Sequence, residues 1–312
     1  MHDLFAPACK IPDASTAYRH WKQQSDRENF HQNLAFLKQN TLPVRLTRSP
    51  DSVTAQWLFC HVPKTGGTTL GNILAKNTPL TGVLRINAPV LNNCPCCYTA
   101  TGRHPRLIMG HHPLHGFIYQ LLPAAPLFHF SLVRHPLARV VSWFNYLKTR
   151  TDHALYERIR HMNLDTFLRQ DDLVEIRNGQ CRRFAGYLHL SGSPDDATLY
   201  KEARHVLDTG FSFVGTTERF DESLLVLQKL LGLPDIFYRR LNPSRAVISA
   251  GTLTPAQRQR ILAMNQADAA LYDWVDQELS RLTKEYLDKG ALSAFRENNR
   301  RWQNLLASPL AP

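Results

Sequence analysis

The most constraining feature of this sequence is an apolar stretch that runs into a glycine-rich loop and then into a helical pattern. Residues 57–62 are typical of a buried parallel strand, and helical periodicity follows over residues 68–76. Between them Gly66 and Gly67 open the helix, where unpaired N–H groups attract anions, and Lys64 adds a positive charge. The pattern predicts an anion-binding loop; a plain glycine-rich turn with an exposed lysine is the alternative.

Strand and helix patterns alternate along the rest of the chain. Apolar stretches at 107–109, 127–133 and 211–215 predict three more strands, separated by segments of helical periodicity. Such alternation is typical of an α/β fold. We predict a P-loop-like three-layer architecture in which a central parallel sheet is flanked by helices.

Helical regions frame this predicted sheet on both sides of the sequence. Spaced apolar residues over 17–40 predict one or two amphipathic helices, which we assign to an N-terminal arm over residues 1–50. The main domain is predicted over residues 51–312. Its last part is predicted to be helical, with Pro255 in the first turn and Trp302 near the end.

The charge balance and the apolar pattern narrow the partners and the compartment. Lys and Arg number 37 against 26 Asp and Glu, and the formal charge of +11 favours an anionic partner unless the surface is simply basic. No stretch nears the roughly 18 apolar residues needed to cross a bilayer, and no signal-peptide pattern is seen. We therefore expect a cytoplasmic protein without a transmembrane segment.

A cysteine cluster raises the question of a metal site. Cys94, Cys96 and Cys97 lie together, with His104 and His111 downstream. A tetrahedral zinc site usually shows two cysteine pairs, and here the second pair is missing. Six cysteines in the whole chain are compatible with a reducing compartment. We expect structural or loop thiols and no metal.

A second anion site is predicted where the strand at 127–133 ends. Arg134 follows that strand, and Pro136 opens a helix that carries Arg139 and Ser142. An arginine at the carboxyl end of a parallel strand, with a hydroxyl farther along the next helix, can hold a phosphate in the crevice where such sheets bind ligands. A surface hydroxyl is the alternative interpretation of Ser142. One ligand with phosphates at both ends would explain both loops.

The order of residues in the first loop disfavours ordinary nucleotide hydrolysis. A kinase or ATPase loop places its lysine after the second glycine, as GxxxxGK[ST], and needs an aspartate at another strand end for magnesium. Here Lys64 precedes both glycines, and Arg134 stands at the strand end. We expect the loop to bind a phosphate-like group without a metal.

Two long motifs carry a resemblance to a known family. FCHVPKTGGTTL (59–70) resembles the 5′-phosphosulfate loop, and SLVRHPLARVVSWFNY (131–146) the 3′-phosphate motif, of sulfotransferases that use 3′-phosphoadenosine-5′-phosphosulfate (PAPS). The HxPKTGGT form resembles the carbohydrate group that contains heparan sulfate 2-O- and 6-O-sulfotransferases and their bacterial relatives. Shorter matches lie at 110–111, 178–182, 213–221 and 265–272.

The resemblance implies a reaction and a set of binding residues. It implies transfer of a sulfuryl group from PAPS to a hydroxyl of an acceptor, foremost a carbohydrate or glycoconjugate. The residues implied to hold the 5′-phosphosulfate are Lys64, Thr65, Gly66, Gly67, Thr68 and Thr69, and those for the 3′-phosphate are Arg134 and Ser142. His135 stands where many relatives have aspartate, which leaves the positioning of Arg134 open. The Golgi relatives carry an N-terminal anchor that is absent here, which favours a cytosolic, bacterial enzyme.

Catalytic and acceptor roles follow from the same resemblance. Lys64 is placed to stabilise charge on the leaving oxygen. His111 follows the strand at 107–109 and resembles the catalytic histidine of the 2-O-sulfotransferase branch, so we expect it to be the base; a structural histidine is the alternative. His112, Asn178 and Arg182 are expected to contact the acceptor.

Two other functions stay open at this point. A P-loop-like nucleotide-dependent kinase is disfavoured by the loop order, and a non-catalytic polyanion-binding protein is suggested only by the charge. The charge also favours a polyanionic saccharide as acceptor, with a glycolipid, a small metabolite or a protein tyrosine as alternatives. Nucleic acid is not expected, and the sequence indicates no oligomeric state.

Overall fold

A five-stranded parallel sheet lies at the centre of the fold. The computed structural model describes residues 14–43, 55–79, 82–86, 105–122, 125–188, 190, 192–239 and 247–307. Within them the strands are β1 (Gln56–Cys60), β2 (Val83–Ile86), β3 (Leu107–Gly110), β4 (Leu127–Val133) and β5 (Phe213–Thr216). Their order is β2-β3-β1-β4-β5, with every pair parallel. The predicted α/β architecture is confirmed.

Helices cover both faces of this sheet. The α-helices are α1 (Ala14–Gln23), α2 (Asp26–Asn40), α3 (Gly67–Lys76), α4 (Pro136–Thr149), α5 (Tyr156–Ile159), α6 (Leu164–Phe167), α7 (Gly179–Phe184), α8 (Asp196–Gly210), α9 (Phe220–Leu231), α10 (Pro255–Ala263), α11 (Gln266–Tyr286) and α12 (Ala291–Ala307). Short 3-10 helices lie at Phe117–Leu121, Val174–Ile176 and Ala250–Thr252. No described helix is long and apolar enough to cross a membrane.

The alternation of side chains along β1 divides the core into two layers. Leu58 and Cys60 pack with apolar residues of α2, α8 and the first half of α11. Trp57 and Phe59 point the other way and pack with apolar residues of α3 and α9. Every residue of β1 and β4 is buried, which is why both strands are mainly apolar in the sequence; the buried polar exceptions are Gln56, His129 and Ser131.

The sequence patterns do not predict strand β2. It has four residues (VLRI), of which only Ile86 is buried and Arg85 is exposed. Such a short, partly exposed edge strand lacks both the continuous apolar character of a central strand and a long alternating pattern. Its position is set by pairing with β3, which no local signal reports.

The two N-terminal helices pack on elements that cover the sheet: α1 on the 3-10 helix at Phe117–Leu121, and α2 on that 3-10 helix and on α8. Helix α2 begins with a capping box between Ser25 and Glu28, and its Phe30 and Leu37 are buried in the first core layer. Asn33 reaches across to the loop that follows β3, where its Nδ2 donates to two carbonyl oxygens. The helices predicted over 17–40 are therefore present. The predicted boundary at residue 50 lies outside the described residues and stays a prediction.

The C-terminal helices also follow the sequence prediction. Thr254 accepts a hydrogen bond from Gln257 N as the N-cap of α10, and Pro255 occupies the first turn. Helix α11 packs against α8, α9 and β5, and so crosses the edge of the sheet.

The cysteine cluster at 94–97 and His104 lie outside the described residues, so the absence of metal there stays a prediction.

We expect Asn33→Ala to lower the free energy of unfolding by about 1–3 kcal/mol, because it removes two buried hydrogen bonds. The Leu114 carbonyl oxygen loses the Asn33 donor, while the Gly116 carbonyl oxygen keeps a long bond from Tyr119 N at 3.4 Å. Urea unfolding followed by tryptophan fluorescence measures the change. Gln32→Ala, on the exposed face of the same helix, is the matched control and should alter stability little. Equal stability of both variants would show that α2 does not depend on this contact.

Candidate active site

The carboxyl ends of the parallel strands meet at one edge of the sheet. Strand β1 lies between β3 and β4, so its loop is flanked by the residues that follow those two strands. His111 follows β3, Arg134 follows β4, and Thr217 follows β5. The strand order thus brings three separate segments against the glycine-rich loop, in the crevice where α/β sheets bind ligands.

The glycine-rich loop is held in an unusual backbone conformation. Lys64 has a φ of 69° and Gly66 a φ of 80°, both in the left-handed region, so this non-glycine residue is strained. At Gly67 a Cβ atom would lie 1.9 Å from Cδ2 of His61. Only glycine permits this approach of the helix start to the imidazole.

Side chains from other elements fix three consecutive carbonyl oxygens of the loop. The pairs are Pro63 O with Arg139 Nε (3.2 Å), Lys64 O with Arg134 Nη1 (3.0 Å) and Thr65 O with Thr217 Oγ1 (2.8 Å). Because the carbonyl oxygens are tied to the protein, the alternating amide N–H groups are free to point elsewhere. The donors come from α4, from the end of β4 and from the end of β5.

The amide N–H groups of the loop form an anion cradle. Among the described residues, no protein acceptor binds the N–H of residues 64–68, and the first loop amide with a partner is that of Thr69, which donates to Gly66 O. Consecutive unpaired donors at a helix N-terminus fit a phosphate or a sulfate. The Thr65 hydroxyl is used internally, since it donates to Val62 O at 2.8 Å. Thr68 and Thr69 lie at the accessible start of α3.

Lys64 carries a cation whose charge is easily lost. Its Nζ lies 4.1 Å from the centre of the Tyr146 ring, a cation–π contact with helix α4. Burial, and then the positive charges of Arg134 and Arg150, lower the pKa of Lys64 to about 8. An anion in the cradle would offset both effects and restore the charge.

Arg134 is positioned by a segment far away in the sequence. The Gln180 side chain accepts from Arg134 N and donates to Arg134 O, each at 2.9 Å. Asp268 in turn accepts from Gln180 N (3.1 Å) and Cys181 N (2.8 Å). The segments at 178–182 and 265–272, singled out in the sequence by short motifs, therefore meet beneath the loop that carries Arg134.

His135 caps the N-terminus of α4, a role that a shorter polar side chain usually has. Its Nδ1 accepts from Leu137 N as the N-cap of α4. A carboxylate is still present near the arginine, because Glu218 Oε1 lies 3.8 Å from Arg134 Nε and also accepts from His135 N. The role left open by the missing aspartate can thus be filled by a residue that follows β5.

The residues expected to contact the acceptor differ in accessibility. Asn178 is 6% exposed and bonded on both sides, since its N donates to Asn265 Oδ1 and its Oδ1 accepts from Asp268 N. His112 is 2% exposed and faces the interior. Arg182 is partly exposed. In this conformation Arg182 alone of the three offers a surface to a large ligand.

A buried charge network supports the loop and escaped the sequence analysis. Arg139 is 2% exposed and lies 2.6 Å from Glu175, which also pairs with the buried Arg183 at 2.8 Å. Burial alone would raise the pKa of Glu175, but Arg183 and Arg139 outweigh it and lower that pKa. No motif marks Glu175, and only its position between two arginines reveals it.

Ser142, predicted from the sequence to bind the 3′-phosphate, is partly exposed on the same helix as Arg139.

His111 is arranged as a neutral base. Its Nδ1 lies 2.8 Å from His61 O, and because a carbonyl can only accept, Nδ1 carries the proton and Nε2 keeps a lone pair. The His61 and His111 rings lie 4.1 Å apart. Desolvation by the surrounding protein lowers the pKa of His111, although the bond to His61 opposes this. The side chain is nevertheless exposed at the rim of the cradle.

These features define a P-loop-like α/β protein with an anion-binding loop. They are the parallel sheet, the cradle, and the residues Arg134 and His111 at two strand ends. The chain belongs to the galactose-3-O-sulfotransferase family, whose model matches residues 29–307. It is 31% identical over 253 residues to galactose-3-O-sulfotransferase 3 of Bos taurus and 29% identical over 243 residues to that of Mus musculus. These alignments cover 72% and 69% of the chain.

The comparisons refine the sequence interpretation. Membership of a carbohydrate sulfotransferase family confirms the resemblance at that level, whereas these matches give no support to the heparan sulfate branch. The chain spans about half the length of the curated relatives it matches, 56% for the Bos taurus protein and 54% for the Mus musculus protein.

We expect binding of adenosine 3′,5′-bisphosphate, which is what remains of the donor PAPS expected from the sequence once its sulfuryl group is transferred, to weaken above pH 8. The free loop loses the Lys64 charge as pH rises through a pKa of about 8, and the bound anion must restore it. Calorimetry at pH 7 to 9, in buffers of different ionisation enthalpy, should show proton uptake on the alkaline side. Lys64→Met should bind more weakly without this pH dependence. Wild-type affinity that stays flat over the range would contradict the assignment.

Proposed function

We propose that this protein transfers a sulfuryl group from PAPS to a hydroxyl group of a carbohydrate. The carrying observation is the cradle itself, in which the unpaired amides of residues 64–68 lie beside the Lys64 cation at the end of β1. Membership of the galactose-3-O-sulfotransferase family supports the same reaction.

The residues present fit the donor. The cradle at 64–69 would hold the 5′-phosphosulfate through its unpaired amides, and Gly67 lets the start of α3 pack against the His61 ring beside it. Arg134, fixed through its backbone by Gln180, and Ser142 on the following helix would hold the 3′-phosphate. When bound, the donor supplies an activated sulfuryl group whose leaving oxygen gains negative charge.

The chain's own residues supply charge stabilisation and a base. Lys64, with the loop amides, places positive charge where the leaving oxygen becomes negative, an electrostatic contribution that is strongest in a partly buried site. His111 Nε2 accepts the proton of the acceptor hydroxyl, while its Nδ1–H bond to His61 O orients the ring and stabilises the imidazolium that forms. No metal is required for either task.

For the acceptor we propose a galactose unit of a larger glycan. The supporting fact is that the relatives are named galactose-3-O-sulfotransferases. The net charge of +11 and the accessible Arg182 also suit an anionic glycan, including the polyanionic kind expected from the sequence. The cytosolic, bacterial setting expected above stays a prediction.

Incubation with 35S-labelled PAPS and a panel of acceptors tests the proposal. We expect label in glycans with terminal galactose, and loss of nearly all turnover in Lys64→Met with the fold intact. Lys201→Met, on the exposed side of α8, is the matched control and should retain activity. An acceptor KM that rises with salt would indicate an anionic glycan. Transfer from labelled ATP instead of PAPS would establish the kinase alternative.

The role of His111 is tested by a mutation and a pH profile. We expect His111→Ala to lower kcat by about 10²–10⁴-fold with donor affinity preserved. Because its pKa is lowered, the acid limb of kcat/KM should fall below pH 6.5, and the alkaline limb should follow Lys64 near pH 8. His161→Ala, an exposed histidine on another loop, is the control. A folded His111→Ala variant with normal kcat would assign the base elsewhere.

A further inference from the structure

Beneath the cradle, three potential metal ligands meet in the interior. Cys60, His112 and His129 are buried, with exposed fractions of 0%, 2% and 0%, and each offers a ligand atom within 4.8 Å of the others. They come from three adjacent strands: Cys60 ends β1, His112 follows β3, and His129 lies in β4. Cys60 and His129 have no role in the proposed sulfuryl transfer, and the acceptor contact expected of His112 from the sequence stays a prediction.

The sheet register explains why these residues meet. Leu58 is in register with His129 of β4, and Cys60, two residues on, points to the same face. Cys60 is also in register with Gly110 of β3, and His112 lies two residues beyond it. Neighbouring positions of one sheet face therefore carry a thiol and two imidazoles, an arrangement no local motif in the sequence shows.

Several polar atoms of the cluster lack partners, although the Cys60 thiol donates to the His112 carbonyl oxygen at 3.7 Å. Among the described residues, neither His112 nitrogen nor His129 Nε2 has a hydrogen-bond partner, and the nearby Tyr119 hydroxyl is also without one. Leaving a buried polar atom unpaired is destabilising, so several together need an explanation. The rings of His112 and His129 both contact the Tyr119 ring, with centroids 5.6 and 6.0 Å away.

His129 is oriented as a metal ligand. Its Nδ1 donates to Gly210 O at 2.6 Å, which fixes the tautomer and leaves the Nε2 lone pair facing the cluster. Metal-binding histidines commonly donate their other ring N–H to a carbonyl in this way. Burial lowers the pKa of both His112 and His129 to about 3, so both imidazoles are in the neutral form that binds metals.

We propose that Cys60, His112 and His129 form a buried site for a soft d10 metal ion, zinc(II) or copper(I). Thiolate with imidazole is the ligand set these ions prefer. On binding, the Cys60 S–H bond breaks, a sulfur–metal bond forms, and one proton passes to the solvent. The thiolate cancels the charge of copper(I) and half that of zinc(II).

The spacing is compatible with this chemistry, and the thiol must release its proton when the ion binds. Burial raises the pKa of Cys60 to about 12 and outweighs the opposing charge of Arg183, so the metal-free thiol is protonated. Ligands on a tetrahedral zinc ion lie about 3.3–3.7 Å apart, given bonds of about 2.0–2.3 Å, so shifts of an ångström or less close the cluster. Such an ion would join the ends of β1 and β3, directly next to His61 and His111.

The test uses a full-length chain in which Cys9, Cys94, Cys96 and Cys97 are replaced by serine, so that Cys60 and Cys181 are the remaining thiols. It is expressed with added zinc, copper or cobalt, purified in the presence of chelator and analysed by mass spectrometry of the metal. We expect about one equivalent of zinc or copper per chain, and a thiolate charge-transfer band with cobalt.

Variants in this background assign the ligands. Cys60→Ser should remove the cobalt band and lower the affinity for zinc by more than the roughly 10–100-fold expected when only a hydrogen-bond partner of a ligand is lost. Cys181→Ser, an equally buried thiol outside the cluster, should keep both. His129→Gln should lower metal content while retaining the thiolate. If Cys60→Ser does not fold, the Cys181→Ser variant decides the assignment. Cys60 is then the one cysteine left in the chain, so a cobalt band that persists must come from its thiolate.

The proposal is overturned if the folded chain retains none of the three metals, or if Cys181→Ser rather than Cys60→Ser removes the band. If no metal is retained, the unpaired nitrogens of His112 and His129 are satisfied by other means, such as buried water. These readouts measure binding alone, so they stand whether or not the chain transfers sulfuryl groups.

Discussion

The structure depends most on how the loop after β1 is held. Its carbonyl oxygens at Pro63, Lys64 and Thr65 are each bound by a side chain from another element, and its amides face outward as a result. This arrangement stores strain in the left-handed backbone of Lys64. The surrounding packing must outweigh that strain, and it does so through groups from α4, β4 and β5. The unpaired amides of the proposed anion site are thus arranged by the protein's own polar groups before any ligand binds.

Buried polar contacts connect the residues that hold this loop to more distant parts of the chain. Gln180 links the Arg134 backbone to Asp268, and Glu175 links Arg139 to Arg183. Removing one member of such a network leaves a charge or an amide unpaired in the interior, which costs more than an exposed contact gains. The network therefore favours one arrangement of the strand ends. The segments at 178–182 and 265–272, which match only short motifs in the sequence, therefore hold the Arg134 backbone in place.

Local sequence patterns predict much of the fold and the centre of the site. The apolar stretches at 57–62 and 127–133, the glycine-rich loop and the capped helices depend on neighbours in the sequence, so pattern reasoning finds them. Strand β2 escapes because its pairing with β3 defines it, and not its composition. The ligand and catalytic roles given to the site residues stay predictions: those of the loop residues with Lys64, of His111, of Arg134 and Ser142, and of His112, Asn178 and Arg182.

By itself the sequence determined the strand–loop–helix unit at 57–76, because two glycines and a lysine after a buried strand leave few alternatives for the backbone. Only the tertiary structure decided which residues meet that unit. Asn178 bonds to Asp268 across 90 positions, and Cys60 meets His112 and His129 through sheet register. Such contacts arise from the packing of whole elements, whose relative positions are set by burial over the entire core and not by any short segment.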